Sequence, residues 1–108
     1  MTNEKLFLLI EKLLENTRSG NIKWEVTANA NRFATSKADY SIIISIEGGN
    51  ICLEIVDDWD EEIERINDVD LRDVDSNSLD VMKSLFVIAR RNARGADKAI
   101  DDILDSLS

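Results

Sequence analysis

Asp73, Asp75 and Asn77 stand at alternate positions in "DVDSNS", the spacing at which oxygen ligands begin an EF-hand calcium loop. The match then fails. Ser78 occupies the sixth position, where that loop needs glycine, and Ser84 the twelfth, where it needs a bidentate glutamate. A second set is Arg90, Arg91 and Arg94 in "ARRNARGADK". Arg90 and Arg94 are four apart on a helical period, so they share a face and suit one anion or phosphate. The plainer role for the three is to complement the negative end of that helix and the acidic segment nearby. A third set surrounds Trp59: Asp57, Asp58, Asp60, Glu61, Glu62 and Glu64. A tryptophan standing among acids at a turn is a candidate interface anchor for a basic partner; the alternative, which the sequence slightly favours, is that it folds back over the sheet edge.

Other chemistry is excluded or left without a residue to perform it. The chain has no histidine, which removes Ser-His-Asp and Cys-His catalysis, histidine metal sites and the usual general base near neutral pH. The lone Cys52, on an alternating strand, reads as a small buried apolar residue; a reactive thiol there would need a depressed pKa. "EGGN" has the wrong pattern for a nucleotide-phosphate loop and reads as a hairpin turn. Carboxylates followed by Arg65 match no two-metal nuclease spacing. No catalytic residue and no cofactor is nominated.

The segment 57–80, "DDWDEEIERINDVDLRDVDSNSLD", contains eleven acidic and two basic residues, and the rest of the chain has eleven of each. The whole net charge of −9 therefore resides there. Such a balance disfavours nucleic acid as a partner, because phosphate binding requires a basic surface that displaces counterions. It suits a basic protein or a cation. A charged edge strand protected from unwanted pairing needs no partner at all.

The elements that must position these groups follow from periodicity. Leu6, Leu9, Ile10, Leu13, Leu14 and Thr17 share one helical face over residues 3–18. The period then changes to two. Ile22, Trp24 and Val26 alternate with polar residues, and "NRFATSK" reads as a short strand after an "ANAN" turn. "YSIIISIEGGNICLEIVDD" is a hairpin whose Gly48 and Gly49 supply positive φ. A fifth strand near Glu61 to Ile66 follows a turn at "DWD". "NDVDLRDVDSNS" reads as a loop with a short turn around Leu71 to Val74; Asp75 or Ser76 is placed to cap the helix that follows. Leu79, Met82, Phe86, Ala89 and Ala93 then form a helical stripe, and Ala96, Ala99, Ile100, Ile103, Leu104 and Leu107 repeat the spacing of the first helix; between them Gly95 either kinks one helix or, the slightly favoured reading, closes it so that two helices meet there.

The expected architecture is a single α+β domain over 1–108. An N-terminal helix precedes a four- to five-stranded antiparallel meander, with one or two C-terminal helices packed on one face. The half-apolar second sheet face, with Ile43, Cys52 and Val56, and the helical tail favour a homodimer. The single cysteine, the absence of a basic signal-like start and an apolar run far shorter than the ~20 residues of a membrane span point to the cytoplasm and to no membrane partner.

"LLENTRSGNIKWEVT" and "FVIARRNARGADKAIDDIL" resemble segments of small bacterial and phage-associated proteins of uncharacterised function. In those a leading helix runs into a "G-x-x-K/R-W-E" strand, and a tail of the form "L-x-x-x-A-R-R-x-A-x-G-x-D-x-x-I" closes the chain. The resemblance spans Leu13 to Leu104. It implies a bacterial or phage origin and carries no site residue.

The preferred reading is a non-enzymatic protein-protein interaction module, immunity- or inhibitor-like, that uses segment 57–80. The alternative is a small-ligand or divalent-cation-binding protein, with an enzyme among its forms.

Overall fold

The computed structural model describes residues 2–108. Helix α1 (Thr2–Arg18) is followed by strands β1 (Glu25–Val26), β2 (Arg32–Lys37), β3 (Tyr40–Glu47), β4 (Asn50–Val56) and β5 (Glu62–Asn67), and then by helices α2 (Ser78–Arg94) and α3 (Ala96–Leu107). The strands form one antiparallel sheet in the order β1-β2-β3-β4-β5. Each strand pairs with its sequence neighbour, as expected of an α+β meander with short turns. Glu47 pairs with Asn50 across Gly48 and Gly49, whose φ values of 56° and 85° are those a two-residue hairpin turn needs.

One face of the sheet carries Phe33, Ile42, Ile44, Ile51, Leu53 and Ile66, which pack with Leu6, Phe7, Ile10 and Leu13 of α1 and Met82, Leu85, Phe86 and Ala89 of α2. Helix α2 runs against the strands, and α1 packs beside α2. Each of the large apolar side chains so buried contributes about 1.5–3 kcal/mol relative to exposure.

Trp24 joins the layers. It is fully buried, its indole N–H donates to Thr17 Oγ1 at 3.0 Å, and its backbone N–H donates to Asn92 Oδ1 at 2.6 Å. One residue thereby ties the end of α1, the entry to the sheet and the end of α2. The alternation expected from Ile22 to Val26 shortens here to a two-residue β1. The Trp24 N–H goes to Asn92 of α2, and Val26, which pairs with Phe33, is exposed.

Helix α2 ends where glycine was expected to end it. Gly95 takes the left-handed conformation (φ 66°, ψ 43°), and its N–H returns to the last turn of α2. Helix α3 starts at the next residue. Its apolar stripe repeats the spacing of α1, yet none of its residues is buried. Only α2 of the two C-terminal helices packs on the sheet.

Candidate interaction site

The β4–β5 turn is built on Asp57. Its Oδ1 accepts the backbone N–H of Trp59 at 2.9 Å and that of Glu61 at 3.0 Å. Its own N–H donates to the Glu61 carbonyl, and its carbonyl accepts from Asp60. Asp60 is held at φ 61°, a region that aspartate tolerates better than most residues. The short polar side chain at the first turn position thus fixes the loop, as Asx turns do. The tip that results holds Asp58, Trp59, Asp60, Glu61 and Glu62, all exposed, and Trp59 is 82% accessible.

Two further apolar side chains are exposed at this end of the sheet. Ile55 pairs with Glu64 and Val56 with Glu62, so Ile63 is the extra residue of a β-bulge, and it is turned to solvent. Tyr40 opens β3, next to the Ser41 that pairs with Val56 at the last position of β4. It too is exposed. Trp59, Ile63 and Tyr40 are thus three exposed large apolar side chains at the end of the sheet that carries the acidic turn.

The acidic segment thus divides by role. Asp58, Asp60, Glu61 and Glu62 project, Glu62 with its carboxylate 3.6 Å from Arg65. Asp57 is half-buried and holds the turn, and Glu64 is half-buried opposite Ile55. Farther along, Asp68 is buried. Its Oδ1 accepts the N–H of Ile51 at 2.9 Å, and its carbonyl accepts the hydroxyl of the fully buried Ser78 at 3.0 Å. Asn67 and Asp70 exchange side chain-to-backbone hydrogen bonds, and Asn3 of α1 donates to the Asp70 carbonyl. Leu71 is fully buried. The loop from 67 to 77 is therefore a built connection between β5 and α2, not a solvated acidic run.

Of the candidate cation ligands, Asp75 has its Oδ1 on the backbone N–H of Asn77 at 2.8 Å, which sets the turn before α2. Asn77 occupies the cap position without a side-chain cap bond, so neither Asp75 nor Ser76 caps the helix. Asp73 is exposed. Among the described residues no three or more His, Cys, Asp or Glu side chains gather in a geometry that would hold a metal ion.

The arginines divide as well. Arg91 turns toward α3 and meets Asp97 at 3.2 Å. Arg94 donates to the Ala30 carbonyl at 2.9 Å and lies over the Phe33 ring, while Arg90 lies over Phe86. The two rings pack edge-to-face at 5.7 Å. Arg90 and Arg94 thus share a face, as their spacing predicts, and cover the aromatic end of the core; cation–π contact and snorkelling account for them.

The second sheet face holds a group that alternation alone does not reveal. Glu54 is buried, and its Oε1 meets Arg65 Nη1 at 2.6 Å and Arg32 Nη1 at 3.4 Å. Arg65 also pairs with Glu47. Cys52, Ser45 and Val56 on the same face are buried as well. Burial, and then Glu47, push the Cys52 thiol up from its ordinary value of 9.0, the opposite of what a nucleophile requires. The polar-phase position of Glu54 opposite Arg65 was the only signal in the sequence, and it depends on strand register.

Among the described residues no helix is long and apolar enough to cross a membrane. No protein-family model matches the chain, and no curated protein or solved structure matches it.

Proposed function

We propose that the protein is a non-enzymatic interaction module that presents the β4–β5 turn to a basic partner protein, as immunity proteins and inhibitors of basic proteins do. The observation that carries this reading is Trp59, 82% exposed on a turn whose backbone is already fixed by Asp57. With the backbone of the turn already held, binding has only the indole rotamer to order, and tryptophan is among the residues that most often dominate an interface. Asp58, Asp60, Glu61 and Glu62 around it supply complementary charge, which accelerates encounter and selects the partner.

The test is capture of partners from a bacterial lysate across a salt series, with the native chain and with Asp58→Lys, Asp60→Lys and Glu62→Lys combined. The reading requires a protein that the native chain retains at low salt, releases as salt rises, and that the charge-reversed chain does not retain. An identical set of captured proteins for both chains contradicts it.

A further inference from the structure

Helix α3 carries an apolar stripe with nothing on it. Ile100, Ile103, Leu104 and Leu107 are 46%, 57%, 58% and 78% exposed. The radius of gyration is 14.8 Å, against about 13 Å for a compact chain of this length. The long axis reaches 53 Å. The helix therefore projects instead of lying on the domain. A helix of ~12 residues is marginal in water by itself and gains its stability from a packed face.

We infer that this face docks on a second copy of the chain, in the groove along the outer side of α2 beside the end of α1. Arg18, Lys83, Ser84, Val87, Ile88 and Arg91 line that groove. Its floor is apolar and its rim is basic, with no acidic residue. Helix α3 has the matching pattern, four aspartates to one lysine. On a helical period Asp97, Asp101 and Asp105 form a row bordering the Ile100–Leu104 stripe. Asp97 already meets Arg91 of its own chain. Asp101 and Asp105 have no basic partner among the described residues and are placed for Arg18 and Lys83 of the other copy.

Three competing occupants fit less well. The chain's own α3 does not fold back, because a single residue, Gly95, joins it to α2, and antiparallel helices need a loop of about 2–5 residues. A second α3 would bring two acidic helices together. An anionic membrane selects helices with Lys and Arg on the polar face, not aspartate. Reciprocal docking of two helices into two grooves closes a twofold dimer and leaves no free site. It is independent of the Trp59 turn, which lies at the β5 side of the sheet, whereas α3 leaves the molecule beside the β1–β2 turn, where Arg94 meets Ala30.

Equilibrium sedimentation of the full chain, from micromolar to millimolar concentration, provides the test. The native chain should reach twice its 12.2 kDa mass, and added salt should shift it toward monomer. Ile103→Asp with Leu107→Asp should be monomeric, and so should Arg18→Glu with Lys83→Glu. Adding Asp101→Lys and Asp105→Lys to the second pair should restore the dimer. All six positions are exposed, so each variant should keep the native core, read from the near-ultraviolet signal of the buried Trp24, while the helical signal of the monomeric variants should fall by no more than the share of α3. A native chain that stays monomeric throughout overturns the inference. So does a dimer that survives the α3 substitutions. A dimer that survives the groove substitutions but not those in α3 shows α3 pairing with itself, and overturns the groove assignment.

Discussion

The Asp57 carboxylate accepts the backbone N–H of Trp59 at 2.9 Å, so the residue that fixes the turn and the residue the turn displays are two apart in sequence. Charge at position 57 and geometry at position 57 are therefore separable. Asp57→Asn keeps an oxygen acceptor and should leave stability and partner capture nearly native. Asp57→Ala leaves two N–H groups without their acceptor and should cost about 1 kcal/mol, with weaker capture although Trp59 and the projecting acids are untouched. Denaturant midpoints and capture efficiency of the two variants distinguish geometry from charge.

Asp68 makes the corresponding point for the buried part of the acidic segment. Asp68→Ala orphans the Ile51 N–H inside the sheet and should destabilise by about 1–3 kcal/mol. Asp73→Ala, at an exposed position nearby, should change stability by less than about 0.5 kcal/mol. Urea titration of both variants measures the contrast, and equal effects would contradict the division of this segment into structural and free carboxylates.

Cys52 should be slow to react. Its folded-state pKa lies above 9.0 through burial first and Glu47 second, so little thiolate exists at pH about 8. Glu47→Gln removes two of the raising influences and should speed modification by a disulfide reagent. The same shift sets the sign of a pH effect. The folded state holds the thiol proton that the unfolded chain releases, so this group's contribution is fully present below pH 9.0 and declines as pH rises through the folded value. Thermal melts in mildly alkaline buffers should show that decline, and Cys52→Ala should lessen it.

Much of the fold was legible because its signals are local. The alternation from Tyr40 to Val56, the paired Gly48 and Gly49, the helical stripe through Met82 and Phe86, and the stop at Gly95 each lie within a few residues of what they specify. What was not legible depends on partners distant in sequence. Trp24 looks like a strand residue until Thr17 and Asn92 take its N–H groups. Asp68 looks like one more solvated acid until the turn brings it to Ile51. The stripe of α3 has the periodicity of a packed helix, and periodicity does not say what packs on it. At the site, the sequence leaves Trp59 between an exposed position and one folded over the sheet edge, and the structure exposes it; the holding role of Asp57 and the bulge that exposes Ile63 arise from register.

Gly95→Ala places a side chain at φ 66° and should cost about 1–2 kcal/mol by the left-handed penalty. Gly95→Asn should cost less, since asparagine tolerates that region. If Gly95 also sets the direction in which α3 leaves α2, the Ala variant should lose dimer as well as stability, and sedimentation beside calorimetry separates the two effects.

The most direct measurement of the central claim is the affinity of the captured partner for the native chain and for Trp59→Ala. The side chain is 82% exposed and its removal should leave the melting temperature unchanged. Truncating an anchor residue costs about 2 kcal/mol or more, so the variant should bind on the order of 30-fold more weakly. Equal affinity for the two chains would contradict the account.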